Sequence, residues 1–258
     1  MTNNVKFTTD MDLLYENGTN LSIEDIPYRQ AVGALLYATQ CTRPDISFSV
    51  SKMSQFMNCY SAAHWQGVEQ IIRYVKTTKN LRIRYTRDNE IKNRNILLGY
   101  SDADWASDVD TRKSQSGYVF YLNGGPISWS SNKQSTVALS SVESEYIALS
   151  SATQELVYLR QLLEDIGYPQ SNPTVIYEDN QGAIQLADNH GMHSKRTKHI
   201  DVRHHYLRDV IKSGWLLVRH IPTERQNADI LTKALVASKF RVDCAQLMSP
   251  MSSVKDLR

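Results

Sequence analysis

The sequence contains few cysteines, and their spacing is not that of a metal site. Of its 258 residues only Cys41, Cys59 and Cys244 carry a thiol, and no Cys-x-x-Cys pair occurs. An odd and scattered set of thiols argues against a zinc ribbon or a disulfide framework and indicates a reducing compartment. A basic segment followed by an apolar one, the sign of a secretory leader, is also missing from the N-terminus. We therefore expect a soluble, non-secreted protein.

An excess of charge and a long hydrophobic run are absent as well. Lys and Arg total 29 against 27 Asp and Glu, so the net charge is +2. This balance excludes the whole-chain basic field of a histone-like binder, and a polyanionic partner would have to be met by a local patch. The longest uncharged stretch, residues 114–132, is rich in Ser, Gly and Asn, which is not the composition of a membrane span.

The hydrophobic pattern divides the chain near residue 92. Residues 1–25 are polar and show no sustained period, which is typical of a loose leader or of the cut end of a larger chain. Over residues 26–90 apolar side chains recur at spacings of three and four until about Thr78, and this pattern predicts about three amphipathic helices. Beyond this segment the apolar residues alternate with the period of a strand. A second domain is predicted over residues 92–236, followed by a tail at residues 237–258.

The second domain alternates strands and helices. A turn at Asn123-Gly124-Gly125 joins two strands, and the capping-box spacing Ser140-Ser-Val-Glu143 opens a long helix that stops at Gly167. The predicted strands are 96–103, 118–122, 127–129, 174–179 and 215–221, and the predicted helices are 140–167, 181–187, 200–212 and 223–235. This order predicts an α/β fold, a mixed sheet flanked by helices and preceded by a small helical segment.

Three acidic residues stand at the ends of these elements. Asp102 shares one side of the first strand with Ile96 and Leu98, and this apolar side is predicted to face the core. Glu145 lies on the apolar stripe of the long helix, and Asp179 ends a later strand. A single Asp at a strand end is more often a turn or cap residue, but a carboxylate on an inward face is costly unless something pairs with it. Together the three suggest convergence on a divalent cation such as Mg²⁺, which prefers oxygen ligands.

Two neighbouring acids compete for these positions. Asp104 lies two residues after Asp102, and a strand places both on the same side, so either can be the ligand. Glu143 competes less well with Glu145, because Glu143 fits the helix cap that begins at Ser140. The pattern alone leaves the choice between the two aspartates open.

Five ordered blocks of residues carry a resemblance to a known family. They are Tyr100-Ser-Asp-Ala-Asp-Trp-Ala106, Ser140-Ser-Val-Glu-Ser-Glu-Tyr-Ile-Ala-Leu149, Tyr177-Glu-Asp-Asn-Gln-Gly-Ala183, Lys198-His-Ile-Asp-Val-Arg203 and Ala228-Asp-Ile-Leu-Thr-Lys233. In this order they resemble the ribonuclease H domain of copia-type LTR retrotransposon Pol polyproteins. The upstream blocks are Tyr28-Arg-Gln-Ala-Val-Gly-Ala-Leu-Leu-Tyr37, Thr42-Arg-Pro-Asp45 and Ala63-His-Trp65, which look like the stretch after the polymerase palm. The resemblance covers roughly residues 26–236.

The resemblance implies a ribonuclease H-like fold and a carboxylate quartet. Carried over residue by residue, the quartet is Asp102, Glu145, Asp179 and Asp229, which would hold two Mg²⁺ ions, with Mn²⁺ as an alternative. Asp229 is assigned by the resemblance alone, because on pattern it is equally a helix-dipole residue. The implied reaction is two-metal hydrolysis of the RNA strand of an RNA/DNA hybrid. His220 is matched to a mobile histidine that assists product release, although it equally well ends a strand.

The same resemblance implies contacts to nucleic acid. Gln181 matches a position that reads the minor groove of the hybrid, where the 2′-hydroxyl distinguishes RNA from DNA, and Asn180 precedes it. Ser140 and Ser141 stand at the N-terminus of the long helix and would hold a phosphate, but capping explains them about as well.

A basic segment over residues 193–212 is the local patch that the balanced charge requires. Lys195, Arg196, Lys198 and Arg203 are predicted to contact backbone phosphates, with an ordinary solvated helix face as the equal alternative. The histidines of this segment lack the thiolate pair or the spacing of a recognised zinc site, so zinc is disfavoured.

The expected partners are an RNA/DNA hybrid and the upstream palm and fingers of the reverse transcriptase in a parent polyprotein, without a membrane. No Tyr-x-Asp-Asp motif occurs, so this chain alone is not expected to copy nucleic acid. We expect a cytoplasmic location, including virus-like particles. One rival hypothesis is an inactive remnant or a domesticated nucleic-acid-binding scaffold. A second rival, a DNA strand transferase of the same fold, is disfavoured by Asn180, Gln181 and the copia-like blocks.

Overall fold

The computed structural model describes residues 26–85, 95–188 and 198–250, without the side chains of residues 198–204 and 250. The chain divides into two compact units. Among the described residues, the helical unit comprises residues 26–84, 109–111 and 234–250, and the sheet unit comprises residues 85, 95–108, 112–188 and 198–233. The domain limits predicted from the sequence stay predictions.

Helices and strands follow one another along the chain in this way. The helices are α1 (Tyr28–Cys41), α2 (Ser47–Ser54), α3 (Ala62–Thr77), α4 (Ser141–Asp165), α5 (Gln181–Asp188), α6 (Lys198–Lys212) and α7 (Ala237–Leu247). The strands are β1 (Leu81–Arg82), β2 (Leu98–Asp104), β3 (Gln115–Leu122), β4 (Gly125–Lys133), β5 (Thr174–Glu178), β6 (Leu216–His220) and β7 (Ser249–Pro250). Among the described residues, no helix has both the length and the apolar character needed to cross a bilayer.

The helical unit is built on the predicted amphipathic segments. Helices α1, α2 and α3 bury Val32, Val50 and Val68 completely in a common core, which confirms the three predicted helices. The sequence predicts a tail over residues 237–258, and the structure forms helix α7 within this range. Its Phe240 ring packs edge-on against Tyr74 of α3, with 5.8 Å between the ring centroids. Strand β7 then pairs antiparallel with β1.

The sheet unit contains a five-stranded sheet in the order β4-β3-β2-β5-β6. Strands β2, β3 and β4 pair antiparallel, while β2 pairs parallel with β5 and β5 pairs parallel with β6. Helix α4 packs against β2 and β3, and its Leu149 and Leu156 are fully buried. The predicted mixed sheet flanked by helices is therefore confirmed. Because β2 and β5 run parallel, their carboxyl ends lie side by side, where ligand sites of open α/β sheets form.

The core lies on the other side of β2 from the one predicted. The prediction placed Asp102 on the core-facing side with Ile96, but Ile96 is 45% exposed, whereas Leu97 is 0% exposed and belongs to the main core. The side that faces α4 carries small residues, because a side chain at Gly99 would collide with Phe120 at 2.6 Å. Strand β5 shows the same reversal. Its buried side carries Thr174, Ile176 and Glu178, whereas Asp179 continues the less buried side.

The predicted closing helix over residues 223–235 is wrong. The chain forms two short 3-10 turns there, Thr223–Arg225 and Asp229–Leu231. Between them Gln226 has an extended backbone, and its buried side-chain Nε2 donates to the carbonyl oxygen of Ser101 at 2.9 Å. This bond and the one that Ser131 Oγ donates to the carbonyl oxygen of Leu231 at 2.6 Å hold the segment against the sheet and override its helical propensity.

The second 3-10 turn approaches the sheet so closely that Gly117 has no room for a side chain. A Cβ atom at Gly117 would lie 2.8 Å from Leu231 Cβ and 2.8 Å from Thr232 Cγ2. We expect Gly117→Ala to lower the free energy of unfolding by about 1–3 kcal/mol, the usual cost of overpacking. Denaturant titration measures this change.

The matched control is Gly33→Ala in α1. An added Cβ at Gly33 meets nothing within 4 Å, and alanine is the better helix former, so the control variant should be unchanged or more stable by roughly 0.5–1 kcal/mol. Equal stability of both variants would contradict the tight contact at Gly117.

Candidate metal centre

Three carboxylates meet at the carboxyl ends of β2 and β5. Asp102 comes from β2, Asp179 directly follows β5, and Glu145 lies in the second turn of α4. One oxygen of each lies within 4.8 Å of the others, so the three could hold a metal ion. Asp102 is only 1% exposed, and Glu145 is also buried. The structure thus brings together the three acids that the sequence singled out, although two of them stand on the less buried side of their strands.

Burial and mutual repulsion make these carboxylates difficult to ionise without a cation. Loss of hydration raises the pKa of Asp102 to about 7, with Lys233 opposing and Asp229 adding to the rise. Burial also raises the pKa of Glu145 well above its usual range, helped by the negative charges of Glu178 and Asp102. A divalent cation would relieve both penalties, and an all-oxygen donor set is the kind that Mg²⁺ prefers.

The fourth acid of the predicted quartet, Asp229, is buried beside this group but is paired with a lysine. Lys233 Nζ lies 2.8 Å from Asp229 Oδ1 and 3.6 Å from Asp102 Oδ2. Burial alone lowers the pKa of Lys233, but the charges of Asp102 and Asp229 outweigh it and raise that pKa. Thr232 Oγ1 also donates a hydrogen bond to Asp102 Oδ2. Lys233 is therefore a resident cation of the site.

A further acid, Glu178, is the last residue of β5 and immediately precedes Asp179 of the three-residue group. It is completely buried, where it accepts hydrogen bonds from Ser101 Oγ at 2.8 Å and from the Asn180 backbone nitrogen at 3.2 Å. Burial raises the pKa of Glu178 well above its usual range. These bonds fix the turn that carries Asp179, whose Oδ2 accepts from Thr223 Oγ1 at 2.7 Å. Asp179 is thereby held from both sides.

The competing acids stand apart from the group. Asp104 is half-buried and does not belong to the three-residue group found among the described residues. The Ser140 side chain accepts from the Glu143 backbone nitrogen at 3.2 Å, and Glu143 Oε2 accepts from the Leu139 backbone nitrogen at 2.9 Å. The capping role of Ser140 and Glu143 is therefore confirmed. Ser141, the first residue of α4, is exposed.

The remaining predicted residues surround the acids at greater exposure. His220 ends β6 as an exposed residue, in register with Glu178. Gln181 begins α5 and is exposed, while Asn180 Oδ1 accepts from the Ala183 backbone nitrogen at 3.1 Å and so caps that helix. Their contacts to nucleic acid stay predictions.

The N-terminal part of the basic segment lies outside the described residues. Lys195 and Arg196 lie there, in the gap between residues 188 and 198. Lys198 and Arg203 belong to α6, but their side chains are not among those described. The prediction of phosphate contacts by these four residues is therefore untested.

Comparison with known proteins identifies the relatives of this chain. No family model matches the chain. The retrovirus-related Pol polyprotein from transposon TNT 1-94 of Nicotiana tabacum is 41% identical over 228 residues, which are 88% of this chain. The chain belongs to the copia-type Pol polyprotein family. It spans 17% of the length of that tobacco relative.

Two other matches are an effector protein and a solved structure. Secreted RxLR effector protein 161 of Plasmopara viticola is 50% identical over 124 residues, 48% of this chain and 84% of that protein. A crystal structure of LC11-RNase H1 in complex with RNA/DNA hybrid has 16% identity and a TM-score of 0.39, covering 53% of this chain and 93% of that chain. Pol family membership and the mixed five-stranded sheet together agree with the predicted ribonuclease H-like fold class.

Sequence reasoning missed the residues that hold the acids in this Pol segment. Lys233 and Thr232 stand in the block that begins at Ala228, and the i, i+4 spacing of Asp229 and Lys233 was a usable sign of an ion pair. Glu178 immediately precedes Asp179, and it was overlooked because the strand was assigned the wrong buried side.

Proposed function

We propose that this Pol segment is a metal-dependent endonuclease that hydrolyses the RNA strand of RNA/DNA hybrids during retrotransposon reverse transcription. The observation that carries the proposal is the meeting of three buried or half-buried carboxylates, Asp102, Glu145 and Asp179, at the ends of two parallel strands. So many acids without hydration are costly to keep charged unless cations join them. Membership of the Pol family supports a role in reverse transcription.

The four acids would hold divalent ions in two sets. Asp102, Glu145 and Asp179 suit one ion, and Asp102 with Asp229 would provide ligands for a second. When bound, two Mg²⁺ ions, or Mn²⁺ as an alternative, activate water and stabilise the leaving oxygen of a phosphodiester. The protein's own part is positioning: the Thr232 hydroxyl orients Asp102, and the Thr223 hydroxyl orients Asp179. Fixed ligand orientation of this kind supports metal affinity.

Exposed polar residues beside the acids would select the substrate. Gln181 stands two residues after Asp179, and Asn180 lies between them, so a hybrid that reaches the ion would also pass the start of α5. We assign Gln181 and Asn180 to its minor groove, where the 2′-hydroxyl marks RNA. Ser140 and Ser141 are exposed at the N-terminus of α4, a position that suits a phosphate.

Further contacts complete the proposed assignment. Lys195, Arg196, Lys198 and Arg203 would neutralise backbone phosphates, and the exposed His220 would assist product release. The upstream palm and fingers of the parent polyprotein would deliver the hybrid, in the cytoplasm or inside virus-like particles. The proposed substrate is of the same class as the RNA/DNA hybrid in the LC11-RNase H1 crystal structure.

A cleavage assay tests the proposed function. The purified chain is incubated with end-labelled RNA/DNA hybrid, double-stranded RNA or double-stranded DNA, with Mg²⁺ or with EDTA. We expect cutting only of the RNA strand of the hybrid and only with Mg²⁺, because the carboxylates need the ion to act. Binding of the hybrid without cutting would instead indicate an inactive or domesticated scaffold, and joining of DNA ends would indicate a strand transferase.

A further inference from the structure

Lys233 places a positive charge between two carboxylates that would otherwise share an ion. Its Nζ lies 2.8 Å from Asp229 Oδ1 and 3.6 Å from Asp102 Oδ2, so one ammonium group faces both acids. The side chain is 31% exposed, which means that it enters the site from the surface and has solvent available on its other side. A lysine on the protein surface with no such pair would keep its ammonium in water.

The same two carboxylates are the ligands that a second divalent ion would need. Mg²⁺ binds oxygen at about 2.0–2.1 Å and tolerates little deviation from octahedral geometry. An ammonium at hydrogen-bond distance from Asp229 takes up the carboxylate oxygen that such an ion would need as a ligand. Two cations a few ångströms apart also repel each other strongly where water is scarce. Lys233 and a second ion are therefore alternatives.

This lysine affects the first ion position less than the second. One oxygen from each of Asp102, Glu145 and Asp179 lies within 4.8 Å of the others, and neither Asp229 nor Lys233 is needed to complete that group. Lys233 neutralises Asp229 at 2.8 Å, whereas its contact with the three-residue group is the longer one, 3.6 Å to Asp102. The demand for a cation is therefore greatest at the three-residue group.

We propose that Lys233 is a placeholder for the second divalent ion, so that the substrate-free chain binds one ion at Asp102, Glu145 and Asp179. The second ion enters only when the Lys233 side chain turns outward, and a substrate phosphate supplies the competing anion that draws it away. This inference rests on the proposed function. It makes the second ion depend on the substrate, which restricts hydrolysis to an occupied site.

Titration of the substrate-free full chain with Mn²⁺ tests the placeholder. Free Mn²⁺ is followed by electron paramagnetic resonance, and the heat of binding by calorimetry. We expect one ion per chain for the native protein and for Lys233→Arg, which keeps the charge. Lys233→Met should bind a second ion at least tenfold more tightly than the native chain does. Asp229→Asn added to Lys233→Met should remove that second ion.

Lys239→Met is the matched control. Lys239 Nζ forms the same i, i+4 pair at 2.8 Å with a buried aspartate, Asp243, in the helical unit. This substitution removes one lysine charge that pairs with Asp243 and not with the acids of the metal site, so it should leave one ion per chain. Circular dichroism verifies that every variant is folded.

The outcomes separate this inference from the proposed function. Two ions of similar affinity in the native chain, or a folded Lys233→Met with one ion, overturns the placeholder even if the hybrid is still cut. An ion that survives Asp102→Asn unchanged shows that the site lies elsewhere and overturns both proposals. Absence of binding in every variant also overturns both.

Discussion

Replacement of Asp102 by Asn, or of Glu145 by Gln, is expected to abolish cleavage of an RNA/DNA hybrid while the chain stays folded. Both side chains belong to the three-residue group, and each substitution removes a charged ligand without changing the shape of the side chain. Loss of a metal ligand weakens charge stabilisation by several kcal/mol, and about 4 kcal/mol corresponds to roughly a thousandfold in rate. Initial rates on labelled hybrid with Mg²⁺ measure the loss.

Asp104→Asn provides the control for the choice of aspartate. Asp104 is on the same strand and has the same chemistry, but it is only half-buried and lies outside the group. We expect its substitution to change the rate by less than about tenfold, the lower end of what outer positions of a metal site cost. If Asp104→Asn abolished cleavage and Asp102→Asn did not, the assignment of the ligand would be reversed.

Without divalent ions, the chain is expected to become less stable as the pH rises from about 4 to about 7. The pKa of Asp102 is about 7 in the folded chain and 3.8 in its reference state, so between these values the folded state holds the proton more often than the unfolded chain. The contribution of the Asp102 carboxyl to the free energy of unfolding is therefore fully present below the reference pKa of 3.8. It is lost as the pH rises through the folded-state pKa of about 7. At 1.4 kcal/mol per pKa unit the loss from Asp102 alone reaches roughly 4 kcal/mol.

Thermal unfolding in EDTA between pH 4.5 and pH 8 measures this effect. The difference between the native chain and Asp102→Asn measures the contribution of this carboxyl together with the effect of its charge on the pKa values of Glu145, Glu178 and Lys233. We expect the Asn variant to be the more stable of the two at pH 8 in EDTA. Added Mg²⁺ should raise the Tm of the native chain and leave that of the variant nearly unchanged. If the Tm of the native chain and of the Asn variant changed equally with pH, Asp102 would not be a buried carboxyl that needs a cation when it is charged.

The acids of the site could be predicted because they interrupt a pattern. Asp102 and Asp179 each stand at the end of a strand, and Glu145 stands on an otherwise apolar helix stripe. Such positions are unfavourable for charge and therefore conspicuous. The five-stranded sheet was accessible for a similar reason, since β-period segments are punctuated by turn residues such as Asn123 and Gly124.

The buried side of β2 could not be predicted in the same way. Alternation defines two sides but not which one is covered. The covered side carries Gly99, whose lack of a side chain leaves room for Phe120, while the exposed Ile96 made the opposite side resemble the core. The side of β2 that is buried depends on how its side chains fit those of β3. The sequence of β2 alone does not contain this information.

The segment after β6 failed for a different reason. Thr223 and Gln226 look like helix caps, but Gln226 bonds to Ser101 of β2, a residue 125 positions away in the chain. Contacts of this range are invisible to local propensity. Lys233 could not be predicted for the same reason. Its partners Asp102 and Asp229 lie close together only when the segment after β6 packs against β2.

The late position of these closing residues has a consequence for protein synthesis. Thr232 is 130 residues downstream of the Asp102 that it holds, so the ribosome releases the β2–β4 hairpins and α4 long before the hydroxyl that orients the first carboxylate. Contacts of high sequence separation also form late in folding. A nascent chain thus carries Asp102 and Glu145 without Asp229, Thr232 or Lys233, and Asp102 lacks the partners that hold it in the folded chain. We therefore expect the proposed metal site to acquire its full set of contacts only after residues 229–233 have left the ribosome.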